Sequence, residues 1–307
     1  MDNVLCHICN EVFDDRMVFH KHLRSHKVTQ AAYYQKYVPR FDLWDKKIIL
    51  FNSYEYYFSH VFNTRENMYK WLASIDPQRA CDWVREQFAE RKARKGLIYA
   101  PTQAELRTLM LPGIFFINQY FVDYNRFCSE LGFLLRYEGI NLNAERKFDK
   151  SHRIIQDSRE QRPLAFSIPS VIQKIDFGDY KLNDDEFSHH CYIERKGLSD
   201  FYSTMSNGLK RFRGELHRAQ DNKANLIIVI EDTIQHVMEF KSQHSFCKVS
   251  SEYVFYNMRK CINDFSNIQF LFVRGREESV RVIEKIFCSD GKFKNVDLQY
   301  LYDIGEL

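Results

Sequence analysis

Proline is scarce in this chain, with 6 in 307 residues, and no low-complexity linker divides it. Boundaries between its parts are therefore legible only to within several residues. No apolar run is long enough to span a bilayer. The first nine residues lack the basic patch followed by an apolar stretch that a secretory signal needs. No internal repeat is present. No large surplus of one charge exists either: the net charge is +3. That is too small to argue for a nucleic-acid partner, though it is compatible with one if basic residues gather on one face. These absences describe an intracellular protein, cytoplasmic in a bacterium or phage and nuclear in a eukaryote.

What is present is ordinary in bulk and unusual in places. Hydrophobic residues make up 45% and charged residues 28%, as in a soluble globular protein with room for two domains or one large one. Aromatics stand high, at 15%. Of the 8 cysteines, Cys6 and Cys9 form a tight pair, while Cys81, Cys128, Cys191, Cys247, Cys261 and Cys288 are scattered singly. Such scatter suits a reducing compartment with buried thiols and one metal site. The chain reads in three parts: residues 1–28, an aromatic-rich and mainly helical region at 29–150, and alternating strands and helices at 151–307.

The first part carries Cys6-His-Ile-Cys9, then His22-Lys-Leu-Arg-Ser-His26. Two cysteines grip a metal from a short turn, and histidines four apart share a helix face. Four such ligands suit tetrahedral zinc, which supplies folding free energy that so small a unit cannot draw from its own core. Phe13 and Phe19 fall where that core is needed. His7 and His20 compete as ligands, but His20 points to another face than His22. The segment resembles the C-C-H-H zinc finger, a small ββα unit. The usual register of such fingers would turn Asp15, Val18 and Lys21 toward DNA bases, with Lys21 alone of suitable sign. A finger that contacts protein instead stays open.

The last part carries the chemistry. Arg153–Asp157 reads as a strand ending in a carboxylate, followed by a polar turn through Glu160. Ile175–Leu182 contains Gly178, which allows a bend before Asp179. Cys191–Lys196 reads as a strand with a polar end, and Asp200 stands at the mouth of a helix running to about Ala219. Phosphodiester hydrolysis develops negative charge, so a hard cation is useful, and Mg²⁺ takes one or two carboxylates with waters. Asp179 and Glu194 are the natural pair. Glu194 and Lys196 share a strand face, so carboxylate and ammonium can act together on metal, water and phosphate.

Asp157-Ser-Arg-Glu160, Gly178-Asp179 and Glu194-Arg195-Lys196-x-x-x-Asp200 resemble the nuclease domain of the XPF (ERCC-type) family, a version of the PD-(D/E)xK restriction-nuclease fold. The segment Arg211–Ala219 and the apolar strand Leu226–Glu231 extend the resemblance, over roughly 152–290. It implies an α/β domain with a central mixed sheet and flanking helices. It implies Mg²⁺ or Mn²⁺ held by Asp179, Glu194 and the carbonyl of Arg195, and water positioned or activated by Lys196. Asp157 and Glu160 complete the acidic cluster, at a second metal, with Asp200 in support. Arg211 and Arg218, seven apart on one helix, share a face that suits phosphates. Apolar surface on the last helices would support a homodimer. The expected length leaves no room after the nuclease for the helix-hairpin-helix module of many such proteins, so targeting would come from the finger and the helical region.

That helical region holds Ala31–Tyr37, Tyr54–Phe58 and a basic run through Arg91, Lys92, Arg94 and Lys95. Two helices, Thr102–Met110 and Ile114–Leu131, are expected around Pro112-Gly113. Contact with DNA phosphates and a plain aromatic core with a solvated basic face are both open. The expectation is a metal-dependent DNA endonuclease, such as a site-directed enzyme of a phage or mobile element. A structure-selective repair or recombination nuclease and a non-catalytic DNA-binding adaptor are the rivals.

Overall fold

Two residues at a time, Val4–Leu5 (β1) and Val12–Phe13 (β2) pair antiparallel and are followed by α1, Arg16–His22. The Asp15 carboxylate caps α1, accepting from the amides of Met17 and Val18 at 2.7 and 2.9 Å. A 3₁₀ turn, Leu23–His26, continues it. These elements belong to a computed structural model that describes residues 4–139, 141–143, 146–240 and 249–307. Cys247 lies outside the described residues. The chain divides into two compact units, Met1–Trp83 and Val84–Leu307.

In the first unit the finger is joined by α2 (Gln30–Tyr37), α3 (Tyr54–Ser59) and α4 (Arg65–Ser74), capped by Thr29, Ser53 and Thr64. The aromatic clusters of α2 and α3 complete the finger's core. Phe19 and Leu23 are buried with Tyr33, Tyr34 and Tyr57, and the Phe19 and Tyr33 rings meet edge-on at 5.2 Å. The Tyr33 hydroxyl accepts from the His7 amide at 2.8 Å and donates to the Leu5 carbonyl at 3.2 Å. His20 lies 3.0 Å from the Tyr34 hydroxyl, away from the metal ligands.

The unit boundary falls inside α5, Pro77–Lys95. The expected pair of helices beyond it is cut finer: α6 (Gln103–Arg107), α7 (Ile114–Tyr120) and α8 (Tyr124–Glu130). The break before α8 follows from Asp123, whose carboxylate caps the Arg126 amide at 2.7 Å, and from Asn118, whose side chain takes the Tyr124 amide at 2.7 Å.

The strands are β3 (Ile154–Asp157), β4 (Ser170–Gln173), β5 (Tyr180–Leu182), β6 (Cys191–Lys196), β7 (Asn225–Ile230) and β8 (Ile268–Phe272). They form one mixed sheet in the order β4-β3-β5-β6-β7-β8. The β3–β5 and β5–β6 pairs are antiparallel, and β3–β4, β6–β7 and β7–β8 are parallel. Both faces are covered, so β7 is apolar throughout. Leu226, Ile228 and Ile230 face one core, with α9 (Leu198–Thr204), α10 (Leu209–Asp221), α11 (Ile234–Glu239) and α12 (Ser251–Asp264). Ile227 and Val229 face the other, with α13 (Arg276–Phe287) and α14 (Leu298–Asp303). This is the α/β architecture expected.

Two expectations are corrected. The helix from Asp200 to Ala219 is two helices, broken at Ser206-Asn207-Gly208. A side chain at Gly208 would crowd the Ser203 carbonyl at 3.1 Å, and glycine lets α10 start against α9. The apolar faces of the last helices are used inside the chain: Val282, Ile283, Ile286, Leu298 and Leu301 are all core residues.

Candidate active site and metal centre

Strand alternation sets the centre of the site. Tyr192, Glu194 and Lys196 lie on the α9–α10 face of β6, and Arg195 on the opposite face with Ile193. Glu194 and Lys196 are 9% and 6% exposed, and their charged groups meet at 2.5 Å. Lys196 also lies 3.4 Å from Asp200 on α9 and over the Phe212 ring of α10. Asp179 enters from the turn before β5. Gly178 there has φ +62°, and a Cβ would sit 2.5 Å from the Ile193 carbonyl. Only glycine lets the two backbones touch. The contact seats Asp179: its amide donates to the Ile193 carbonyl at 2.7 Å, and its carboxylate accepts from the Arg195 amide at 2.7 Å.

The electrostatics follow from dryness. Burial raises the Asp179 carboxyl, against the pull of the Arg195 amide and of Lys196. Burial raises Glu194 too, Lys196 opposes, and the charges of Asp179 and Glu215 raise it further. For Lys196 burial works downward, yet Glu194 and Asp200 outweigh it and hold the ammonium charged. Two neighbouring acids that burial and mutual repulsion hold back from ionising are a donor set that a hard divalent cation fits, because it favours the ionised form of both.

Asp157 and Glu160 are placed differently. Asp157 is 1% exposed, and Arg159 grips both its oxygens at 2.6 and 2.9 Å. The Ile175 amide adds a bond at 3.0 Å. The Arg159 guanidinium, chiefly, pushes Asp157 down to about 2. Glu160 bonds the Arg195 guanidinium through both oxygens, at 2.9 and 3.3 Å, and Glu231 takes the other side of Arg195 at 2.7 Å. These acids brace the strand ends from beneath. Arg211 and Arg218 stand exposed on α10.

One acid was not foreseen. Glu215 on α10 accepts from the Gly178 amide at 3.2 Å and is close enough to raise Glu194. Its signal lay in helical spacing: Phe212, Leu216 and Ala219 mark the buried stripe of α10, and Glu215 borders it.

In the first unit the finger ligands converge. Cys6 Sγ lies 3.7 Å from His26 Nε2, Cys9 Sγ 3.2 Å from His22 Nε2, and the two Nε2 atoms are 2.9 Å apart. Tetrahedral zinc, with bonds of about 2.0 to 2.3 Å, sets its ligand atoms roughly 3.3 to 3.8 Å apart. The set fits zinc. Among the described residues it is the one group of three or more His, Cys, Asp or Glu whose ligand atoms all lie within 4.8 Å. On α1, Val18 and Lys21 are exposed, while the Asp15 carboxylate is engaged as the cap.

A mixed sheet with Glu-x-Lys on a central strand and a second acid from a neighbouring turn defines a restriction-nuclease-like α/β domain. Residues 152–286 match the family model of the ERCC4 domain. Among solved structures, XPF from Aeropyrum pernix is 18% identical, with 50% of this chain and 69% of that one covered and a TM-score of 0.34. XPF from Aeropyrum pernix in complex with DNA is 20% identical, with 50% and 72% covered and a TM-score of 0.35. No curated protein matches. ERCC4 homology supports a nuclease that acts on DNA. No helix among the described residues is long and apolar enough to cross a membrane.

Proposed function

We propose that this chain is a DNA endonuclease that hydrolyses phosphodiester bonds with Mg²⁺ or Mn²⁺. The reading rests on buried Glu194 and Lys196 meeting at 2.5 Å, with Asp179 near enough for its charge to raise Glu194, inside the segment that matches the ERCC4 domain. Asp179 and Glu194, with the Arg195 carbonyl, would hold the cation. When bound, it supplies Lewis-acid stabilisation of phosphate charge and a more acidic water. Lys196, kept cationic by Glu194 and Asp200, presents its ammonium to the scissile phosphate or to water. Arg195, clamped by Glu160 and Glu231, fixes the strand on which both groups stand. Arg211 and Arg218, exposed on α10, would contact phosphates. The zinc finger, through Lys21, and the helical region direct the enzyme to its DNA.

The test is cleavage of supercoiled plasmid and of branched DNA by purified protein with Mg²⁺, Mn²⁺ or EDTA. Cutting is expected with either metal and not with EDTA. Asp179→Ala and Lys196→Ala are each expected to slow it by roughly 10²- to 10⁴-fold, the scale of losing a charged catalytic group. No metal-dependent cutting by wild type, with DNA still bound, would make the chain a non-catalytic adaptor. A preference for branched over linear DNA would mark a structure-selective enzyme.

A further inference from the structure

Within the second unit, the C-terminal half of α5 and the outer face of α12 enclose a groove of about 970 Å³. Five cations line it: Arg91, Arg94, Lys95, Arg259 and Lys260. The acids in its wall are Glu252 and Asp264, and Asp264 is committed to Arg213 at 2.8 Å. The groove is therefore strongly positive in a chain whose net charge is only +3.

Two of the cations are ill at ease. Arg91 Nε is buried and has no hydrogen-bond partner. Arg259 gives one bond, to Thr108 Oγ1 at 2.7 Å. Burial lowers Arg259 to about 10, and the charge of Arg91 adds to the effect. Burial likewise lowers Arg91. The nearby acid, Glu105, is itself buried and is raised by that burial. An anion in the groove would relieve both guanidiniums. Interleaved with the cations are exposed rings: Tyr99 at 38%, and Tyr253 and Tyr256 at 49% each. Large aromatics left in water beside basic side chains offer stacking faces that bases can use and a peptide carboxylate cannot.

Topology gives the groove a direction. The crossover between parallel β7 and β8 makes α12 run antiparallel to both. The Ser250–Tyr253 end of the groove therefore lies toward the end of the sheet where β6 presents Lys196. α12 also packs on the face that carries α9 and α10: the Asn257 side chain donates to the Met205 carbonyl at 2.7 Å.

We propose that this groove seats single-stranded DNA, with phosphates on Arg91, Arg94, Lys95, Arg259 and Lys260 and bases on Tyr253 and Tyr256. The inference rests on reading the chain as a DNA enzyme, and gives that enzyme a track for a displaced or unpaired strand.

The experiment measures binding of a fluorescent single strand and of the matching duplex across a salt series, with no magnesium added. Wild type is compared with two variants changed only at exposed positions: Arg94→Ala/Lys95→Ala/Lys260→Ala, and Tyr253→Ala/Tyr256→Ala. The triple variant is expected to bind the single strand at least tenfold more weakly. Its slope of log affinity against log salt should shrink by about 2, at roughly 0.7 for each phosphate no longer neutralised. The tyrosine variant should weaken the single strand more than the duplex. Unchanged single-strand affinity and slope in the triple variant would overturn the proposal. So would a larger loss for the duplex. Plasmid cleavage with Mg²⁺ separates the two readings: wild-type cutting with unaffected groove variants sinks only the groove, while groove-dependent binding without cutting sinks only the catalysis.

Discussion

Gly178 is the residue on which the geometry of the pocket turns. Its φ of +62° and the 2.5 Å approach of a hypothetical Cβ to the Ile193 carbonyl leave no place for a side chain. Gly178→Ala is expected to lower stability by about 2 kcal/mol or more, from the left-handed backbone plus the clash with strand backbone. It should also lift Asp179 off the Arg195 amide and reduce cleavage further than the stability loss explains. Urea denaturation together with turnover at a temperature where the variant is fully folded checks both parts. An alanine variant of wild-type stability would refute the close approach. Glu194, Lys196 and the Gly178-Asp179 bend were legible in sequence because a strand repeats every two residues and glycine before an acid marks a turn. Glu215 was not, since its role depends on how α10 lies across the turn, and no single-strand period encodes that.

At the scale of elements, α6 and α14 are tied through one buried carboxylate. Asp297 caps α14 by accepting from the Tyr300 amide at 3.0 Å and also accepts from the Gln103 amide of α6 at 2.6 Å. Burial raises it to about 6 in spite of those two donors, and the charges of Asp303 and Glu105 add to the rise. A folded-state value above the unfolded one means that the native state binds the extra proton. Its contribution is then fully present below about pH 4 and is lost as pH climbs through about 6. Asp297→Asn cannot ionise; its single carbonyl oxygen keeps one of the two bonds and its Nδ2 cannot accept the other, a loss that does not vary with pH. The difference in unfolding free energy between variant and wild type should therefore grow in the variant's favour between pH 4 and 7, then level. Chemical denaturation at half-unit pH steps measures it, and a difference that stays flat across that window would show that Asp297 is not raised. The helix breaks at Asp123 and Gly208 escaped the sequence for a related reason. Apolar spacing runs on through both, whereas a cap or a close approach of neighbours decides where each helix ends.

At the scale of the molecule, the set that fits zinc and the acids proposed to hold a hard cation lie in different units, Cys6, Cys9, His22 and His26 in Met1–Trp83 and Asp179 with Glu194 in Val84–Leu307. The sequence made the ligand spacing of the first and the strand pattern of the second plain. What it hid was that α2 and α3 finish the finger's core, because aromatic density says that rings are buried and not what they are buried against. Softness of ligands separates the two centres experimentally. 1,10-Phenanthroline, a nitrogen chelator, competes for zinc held by sulfur and imidazole and has little hold on Mg²⁺, which prefers oxygen. Zinc loss leaves Phe19 and Leu23 without the constraint that closes their core. Phenanthroline with excess Mg²⁺ is therefore expected to raise the KM for long DNA by roughly tenfold, about 1.4 kcal/mol of lost targeting, while kcat stays within about twofold. EDTA should abolish turnover outright. Released zinc, read with a chromogenic indicator alongside the kinetics, makes the comparison quantitative. If kcat instead falls in step with zinc release, the finger is part of the cutting machinery and its role as a guide is wrong.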